Sequence, residues 1–431
     1  MNGPKIVVIG AGSYVFGFGL LYDAIVDHRL NGASIHLVDL DLGLATAMEG
    51  IGRRLAKQHG VNIEFFSTSD RCEALPGADF VTASVAIDLP RRWQIDREIA
   101  EKHGLHETSG ECGSISGLSR TIRDVPLVLA ICRDMERLCP NATLLNVSNP
   151  LTRVVLACTR HTKIKTVGFC YVALGGWWAL ASLLELPTER IAAIDAGLNH
   201  FSWFIDIRDR KTGEDLYPKV RAAATPDHVS PLALKYLKET GYFCPTGDSH
   251  MGEFVPFDPA ISVAGGGHHG SPGERDERRK QLQRMAAGLE DWQPLLKHRS
   301  WERPMDYVNA VVRDKLTHFD MLNVPNGGAI KDLPKDMIVE VPCDVDAQGA
   351  RPQKIGALPK PIAKLCKPAA EAIHYAAEAA VKADVTLAHK AIDADPAIAD
   401  KQAARIALAE MLQAHADVLP NWNQPRDDRL G

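Results

Sequence analysis

Short apolar runs set between polar or glycine-rich turns punctuate the first 170 residues. Lys5–Ile9, Ser34–Val38, Ile63–Phe66, Ala78–Val85, Thr143–Val147 and Lys165–Cys170 are rich in β-branched and aromatic residues, and each predicts a strand. Between them lie segments with helical spacing. One carries Phe16, Leu20, Leu21, Ala24 and Ile25; others span Leu42–Gly60 and Val125–Leu138. Strands alternating with helices predict a doubly wound parallel sheet, an α/β fold. Beyond residue 170 the pattern is mixed. Strand-like pieces lie in Ile191–Ile207, a helix in Leu232–Gly241, and an edge strand in Met337–Val345, interrupted at Pro342. A glycine-rich loop at 265–273 carries His268 and His269, and alanine-rich helices fill Ile362–Ala394 and Ala399–His415. This predicts a nucleotide-binding domain over 1–195 and an α+β domain over 196–431.

The first 41 residues are the most informative. Lys5–Ile9 runs straight into Gly10-Ala11-Gly12-Ser13, then an apolar segment, then a strand ending on Asp39. That is the order of a βαβ dinucleotide-binding unit, as in a Rossmann-like sheet of the lactate and malate dehydrogenase kind. Glycines let the backbone approach a pyrophosphate, which then faces a helix N-terminus. Asp39 suits the hydroxyls of an adenosine ribose and disfavours a 2′-phosphate, so NAD is expected over NADP. Val15 stands where a third glycine would complete the fingerprint. The competing reading is a glycine turn in some other parallel α/β domain. A second polar stretch, Asp88–Ser119, follows a predicted strand and holds Arg91, Arg92, Asp96, Glu107, Thr108, Glu111 and Cys112. Such stretches at the carboxyl edge of a sheet are where α/β folds place ligands.

Composition narrows the class. The 431 residues are 45% hydrophobic and 24% charged, with a formal net charge of −5. That is ordinary for a globular enzyme and implies neither nucleic acid nor membrane as a partner. No apolar run is long enough to span a bilayer, and no signal-peptide pattern precedes Lys5, so the cytoplasm is the expected location. Nine cysteines, an odd number without regular spacing, predict free thiols.

Several motifs taken together resemble glycoside hydrolase family 4, the NAD-dependent glycosidases. They are Ile9–Ser13 with Phe16, Ala78-Asp79-Phe80-Val81, Cys139-Pro140-Asn141-Ala142, Leu145–Pro150, Val167–Cys170 and Gly197-Leu198-Asn199-His200. Gly241-Tyr242-Phe243, Ser249–Phe254, Asp332-Leu333-Pro334, Val339–Cys343 and Leu419–Trp422 are similar to its α-galactosidase and α-glucosidase branch. The resemblance implies NAD and a divalent metal, usually manganese, in a homodimer or homotetramer. It implies α-galactosides or α-glucosides as substrates, with hexuronides and 6-phosphoglycosides as alternatives. It also implies a reaction outside the two-carboxylate scheme: NAD oxidises the sugar at C3, a base takes the acidified C2 proton, the aglycone is eliminated, water adds, and NADH returns the hydride.

On this resemblance Cys170 and His200 hold the metal. Gly10, Gly12, Ser13, Phe16, Asp39 and Asn146 hold the cofactor, and Asn149, Asn199, Arg92 and His250 contact the substrate. Asp248 is the first choice for the base, with Tyr242, His250 and Glu253 as competitors. Three departures stand out. Tyr171 follows the metal cysteine where the family has His or Asp, and a phenol with an ordinary pKa near ~10 is a poor acid. The family's Gly-Pro-Gly-Gly loop reads Gly110-Glu111-Cys112-Gly113, making Glu111 a candidate acid or hydroxyl ligand. Trp177 and Trp178 follow the cysteine, but adjacent residues on a helix diverge, so at most one can face a sugar. Two other functions remain open from sequence: an ordinary dehydrogenase of a 2-hydroxy acid or polyol, and a non-catalytic NAD-binding relative.

Overall fold

In a computed structural model of the chain, residues 3–13, 17–261, 263, 272–291 and 302–422 are described. Val15, Phe16, His268 and His269 lie outside them. Eleven strands are described: β1 (Lys5–Ile9), β2 (Ser34–Val38), β3 (Glu64–Thr68), β4 (Phe80–Ala83), β5 (Thr143–Asn146), β6 (Lys165–Gly168), β7 (Ile191–Leu198), β8 (Phe201–Asp209), β9 (Thr317–Pro325), β10 (Ile338–Asp346) and β11 (Gly349–Pro352). The chain forms two compact units that interleave in sequence. The first comprises Met1–Ala86, Val128–Tyr171 and Gly270–Gly356; the second comprises Ile87–Leu127, Val172–His269 and Ala357–Gly431. The expected division near residue 195 is one of chain order rather than of packing.

The first unit is the doubly wound sheet. Its strands run β3-β2-β1-β4-β5-β6, each parallel to its neighbours. Connections leave β1 toward β2 and β3 on one side and resume with β4 to β6 on the other. The switch point therefore lies between β1 and β4, at the carboxyl end from which the glycine turn departs. Ile6, Val7 and Val8 are buried, as a central parallel strand requires. Asp41 caps the helix Leu42–His59 through the amides of Gly43 and Leu44, and Gly60 closes it in the left-handed conformation. β9, β10 and β11 extend the sheet antiparallel. Met337–Val345 is thus not an edge strand, because β10 pairs on both sides. Pro342 is accommodated by a register shift between Val341 and Cys343.

The second unit is mainly helical around the antiparallel hairpin β7–β8. Helices Leu89–Lys102, Lys360–Lys382, Val385–Ala394 and Lys401–Ala414 contribute Ile99, Ile373, Ala376, Ile392 and Leu408 to its core. The long alanine-rich helix expected over Ile362–Ala394 breaks at Ala383, which has a φ of 49°. Asp384 then caps the next helix through the amides of Thr386 and Leu387. The polar stretch Asp88–Ser119 holds the helix Leu89–Lys102 and the start of a 25-residue helix, Ser114–Leu138, which begins well before the expected Val125. Its glycine- and serine-rich first turns hid it from the pattern.

A charge network, buried except at Asp417, ties the unit's C-terminal segment to its helices. Arg92 makes a bidentate pair with Asp417, at 2.8 Å for Nη1, and lies 3.2 Å from His415 Nδ1. His415 Nε2 and the Arg123 guanidinium lie 2.8 and 2.7 Å from Asp96 carboxylate oxygens.

Gly10 tests the turn. Its φ is 83°, and a Cβ there would collide with the Ser84 carbonyl oxygen. Gly10→Ala is expected to destabilise the protein by more than about 1 kcal/mol, seen as a lower melting temperature.

Candidate active site

In the first unit, Asp39 braces the glycine turn. Its Oδ2 accepts from Gly12 N at 2.9 Å and its Oδ1 from Asp41 N at 3.0 Å. Gly10 and Ala11 N donate to Val38 O, at 2.8 and 3.0 Å, so the turn is sewn to the end of β2. Ser84 Oγ donates to Ser13 Oγ at 2.9 Å. A pocket lined by Val8, Gly10, Gly17, Thr82, Ser84 and Val147 opens beside this turn.

The second unit gathers a cluster of nitrogen, oxygen and sulfur donors. His200 occupies the β7–β8 turn with a φ of 63°, a conformation uncommon for residues with a side chain. Thr246 Oγ1 donates to His200 O at 2.9 Å and holds that turn. The His250 ring, on the short helix Asp248–Met251, lies 4.2 Å from the His200 ring, centroid to centroid. Glu111 Oε2 is 3.9 Å from His250 Nδ1, and Glu111 Oε1 pairs with Arg120 at 3.0 Å. Arg120 also pairs with Asp124, at 3.2 Å. Glu253 Oε1 accepts from the amides of Glu111 and, at 2.8 Å, Cys112. The backbones of Gly113 and Glu253 approach so closely that a Cβ at Gly113 would collide with the Glu253 carbonyl oxygen. Two triads of metal-ligating atoms result, Glu111/His200/His250 and Cys112/His200/Glu253, the atoms of each lying within 4.8 Å of one another.

Burial sets the charges. It pulls His200 down to about 3, helped by the neighbouring His250, so its imidazole is neutral at physiological pH. Burial likewise lowers His250, opposed by the Glu111 carboxylate. Glu253 is pushed up from 4.5 to about 8, by burial first and by the Glu111 charge second, against the amides it accepts from.

Some expected residues have other occupations. Asp248 is no free base. Its carboxylate accepts from Leu232 N at 2.8 Å, Ala233 N at 2.9 Å and Ser230 Oγ, and so caps the helix Pro231–Thr240. Arg92, expected to clamp substrate, is buried and committed to Asp417. Asn146 is fully buried, and its amide donates to Ser148 O at 2.9 Å, shaping the loop after β5. Asn149 Oδ1 accepts from Leu151 N at 3.2 Å at the start of the helix Leu151–His161. Asn199 is buried beside His200 in the hairpin turn. Cys170 is buried just after β6, in the first unit, and belongs to neither triad. Burial and the Asp306 and Asp320 charges push the Tyr171 hydroxyl well above its usual value, making it a weaker acid still. Trp177 packs edge-on against Phe204, and Trp178 is exposed. Arg120 escaped the sequence reading, although its i,i+4 spacing from Asp124 on a helix signals a paired charge.

The parallel sheet with its glycine turn at the switch point defines a dehydrogenase-like α/β protein. Family 4 glycosyl hydrolase models match residues 5–186 for the main domain and 196–398 for the C-terminal domain. The chain belongs to this family and is a glycosidase. It is 29% identical to an alpha-glucosidase of Erwinia rhapontici over 80% of this chain and 83% of that one. It is 27% identical to an alpha-galactosidase of Bacillus subtilis over 97% and 99%. A 6-phospho-alpha-glucosidase from gut microorganisms, solved in complex with NAD and Mn2+, shares the fold at a TM-score of 0.79 and 23% identity, over 97% of this chain and 99% of that one. Among the described residues no helix is long and apolar enough to cross a membrane.

Two outcomes follow from the geometry. Asp248→Ala strands two amides and is expected to cost about 1–2 kcal/mol in denaturant unfolding. Glu253 holds in the metal-free fold a proton that the unfolded chain releases. Its stabilising contribution is therefore full below about pH 4.5 and lost as pH rises through about 8. The difference in melting temperature between wild type and Glu253→Gln is expected to track that window.

Proposed function

We propose that this glycosidase cleaves α-galactosides or α-glucosides with NAD and a divalent metal, manganese first, as resident cofactors. The observation that carries the reading is the glycine turn clamped by Asp39 at the switch point. Gly10 has no room for a Cβ, and the Asp39 carboxylate at the end of β2 holds the Gly12 amide. Burial keeps His200 neutral, as a metal ligand must be, and the family resemblance assigns Cys170 as the sulfur ligand. When bound, NAD would accept and return the C3 hydride, and the metal would supply Lewis acidity at the C2 and C3 oxygens.

The protein's part is positioning and proton transfer. The glycines of the Gly10–Ser13 turn would let the backbone approach the pyrophosphate, Asp39 would accept from ribose hydroxyls, and Asn149 and Asn199 would contact sugar hydroxyls. His250 takes the base role in place of Asp248. It is neutral, partly exposed and 3.9 Å from Glu111, whose charge steadies the imidazolium that forms. Arg120 holds Glu111 in place. Tyr171 is too weak an acid to favour poor leaving groups, so aryl glycosides should turn over fastest. By this reading residues 1–195 carry NAD and 196–431 the substrate and the oligomer contacts, while Glu111, early in the chain, packs in the same unit as His200 and His250. A homodimer or homotetramer in the cytoplasm fits, where nine free thiols stay reduced.

The test is a screen of aryl α- and β-glycosides with NAD, manganese and a reductant in heavy water. Deuterium at C2 of the released sugar is expected; an active enzyme that leaves C2 unlabelled overturns the elimination route. Cys170→Ser is expected to abolish manganese-dependent hydrolysis while NAD still binds, and unchanged turnover removes the metal assignment. His250→Gln is expected to lower kcat by about 100-fold or more, the ordinary contribution of a general base.

A further inference from the structure

We propose that Cys112 and Glu253 join His200 in an ion site distinct from the manganese reading but sharing its imidazole, with thiolate, imidazole and carboxylate donors suited to zinc or a similar borderline divalent cation. The site uses a sulfur other than Cys170, and it stands on the geometry of these three side chains whether or not Cys170 binds manganese.

All three residues are buried, and their ligand atoms lie within 4.8 Å of one another. Ligands sharing a tetrahedral zinc-class ion stand about 3.3–3.8 Å apart, given metal–ligand bonds of about 2.0–2.3 Å. Small side-chain adjustments close the remainder. An independent observation points the same way. Glu253 uses Oε1 for the loop amides, while its Oε2 is buried and makes no hydrogen bond among the described residues. A buried carboxylate oxygen without a partner is costly, and a cation would satisfy it.

The donor set decides the class of ion. One sulfur, one nitrogen and one oxygen favour zinc or cobalt over manganese, which prefers oxygen donors. Binding exchanges the Cys112 S–H proton, and that of Glu253 where it is protonated, for the metal, and both protons go to solvent. Three ligands leave a fourth position for water. The three come from separate places, the 110–113 loop, the β7–β8 turn and the segment after helix Asp248–Met251, so a bound ion would staple them together.

The probe is Co2+ alone, added to the full-length protein after chelation. Wild type and Cys170→Ser are expected to show a thiolate-to-cobalt charge-transfer band in the near ultraviolet and a raised melting temperature. Cys112→Ser is expected to weaken cobalt binding by more than about 100-fold, the upper end of what losing even an outer-shell partner costs. The site is overturned if wild type shows no band, if the band disappears in Cys170→Ser, or if it persists when Cys112→Ser is combined with Cys170→Ser. Should Cys112→Ser fail to fold, Cys170→Ser decides alone: a retained band with unchanged cobalt affinity supports the site, and a lost band removes it.

Discussion

The candidate site depends on one buried carboxylate. Glu253 takes the amides of Glu111 and Cys112 on a single oxygen, and Gly113 makes room for its backbone. Those contacts fix the 110–113 loop against the segment that carries His250. Without them Glu111 and Cys112 would sit on a solvent-facing loop, and the cluster around His200 would have no wall. The carboxylate itself carries the cost of burial, which is why its proton is held so far above the usual range.

Burial also selects the chemistry of the imidazoles. His200 sits in a hairpin turn whose backbone is unusual for a residue with a side chain, a strain that the tertiary contacts of the turn sustain. The same burial keeps the ring neutral, ready to ligate or to accept a proton. Arg120 pairs with both Glu111 and Asp124, so the acid beside His250 keeps a fixed position. A separate network pairs buried Arg92, His415, Asp96 and Arg123, with the exposed Asp417 closing it on Arg92, and anchors the C-terminal segment.

Much of the first unit was legible because its signals are local. Strand runs, the Gly10–Ser13 turn and Asp39 are contiguous features, and helix caps such as Asp41 lie beside the elements they start. The second unit was harder. Asp248 looks like a base in sequence, yet its carboxylate serves helix amides sixteen and fifteen positions earlier, at Leu232 and Ala233. Arg92 looks like an anion clamp, yet its partner is 325 positions away. No local pattern distinguishes a carboxylate or guanidinium spent on such a contact from one left for a ligand.

By itself, then, the chain's order of residues determined the family, the parallel sheet and the nucleotide turn, since each rests on neighbours in sequence and on backbone freedom at glycine. The tertiary structure alone decided which polar groups meet. It brought Glu111 and Cys112 to His200, His250 and Glu253 from three distant stretches, and it withdrew Asp248 and Arg92 into caps and ion pairs. The reason is physical: a buried polar group must find its partner wherever the fold places one, and that choice is made across space.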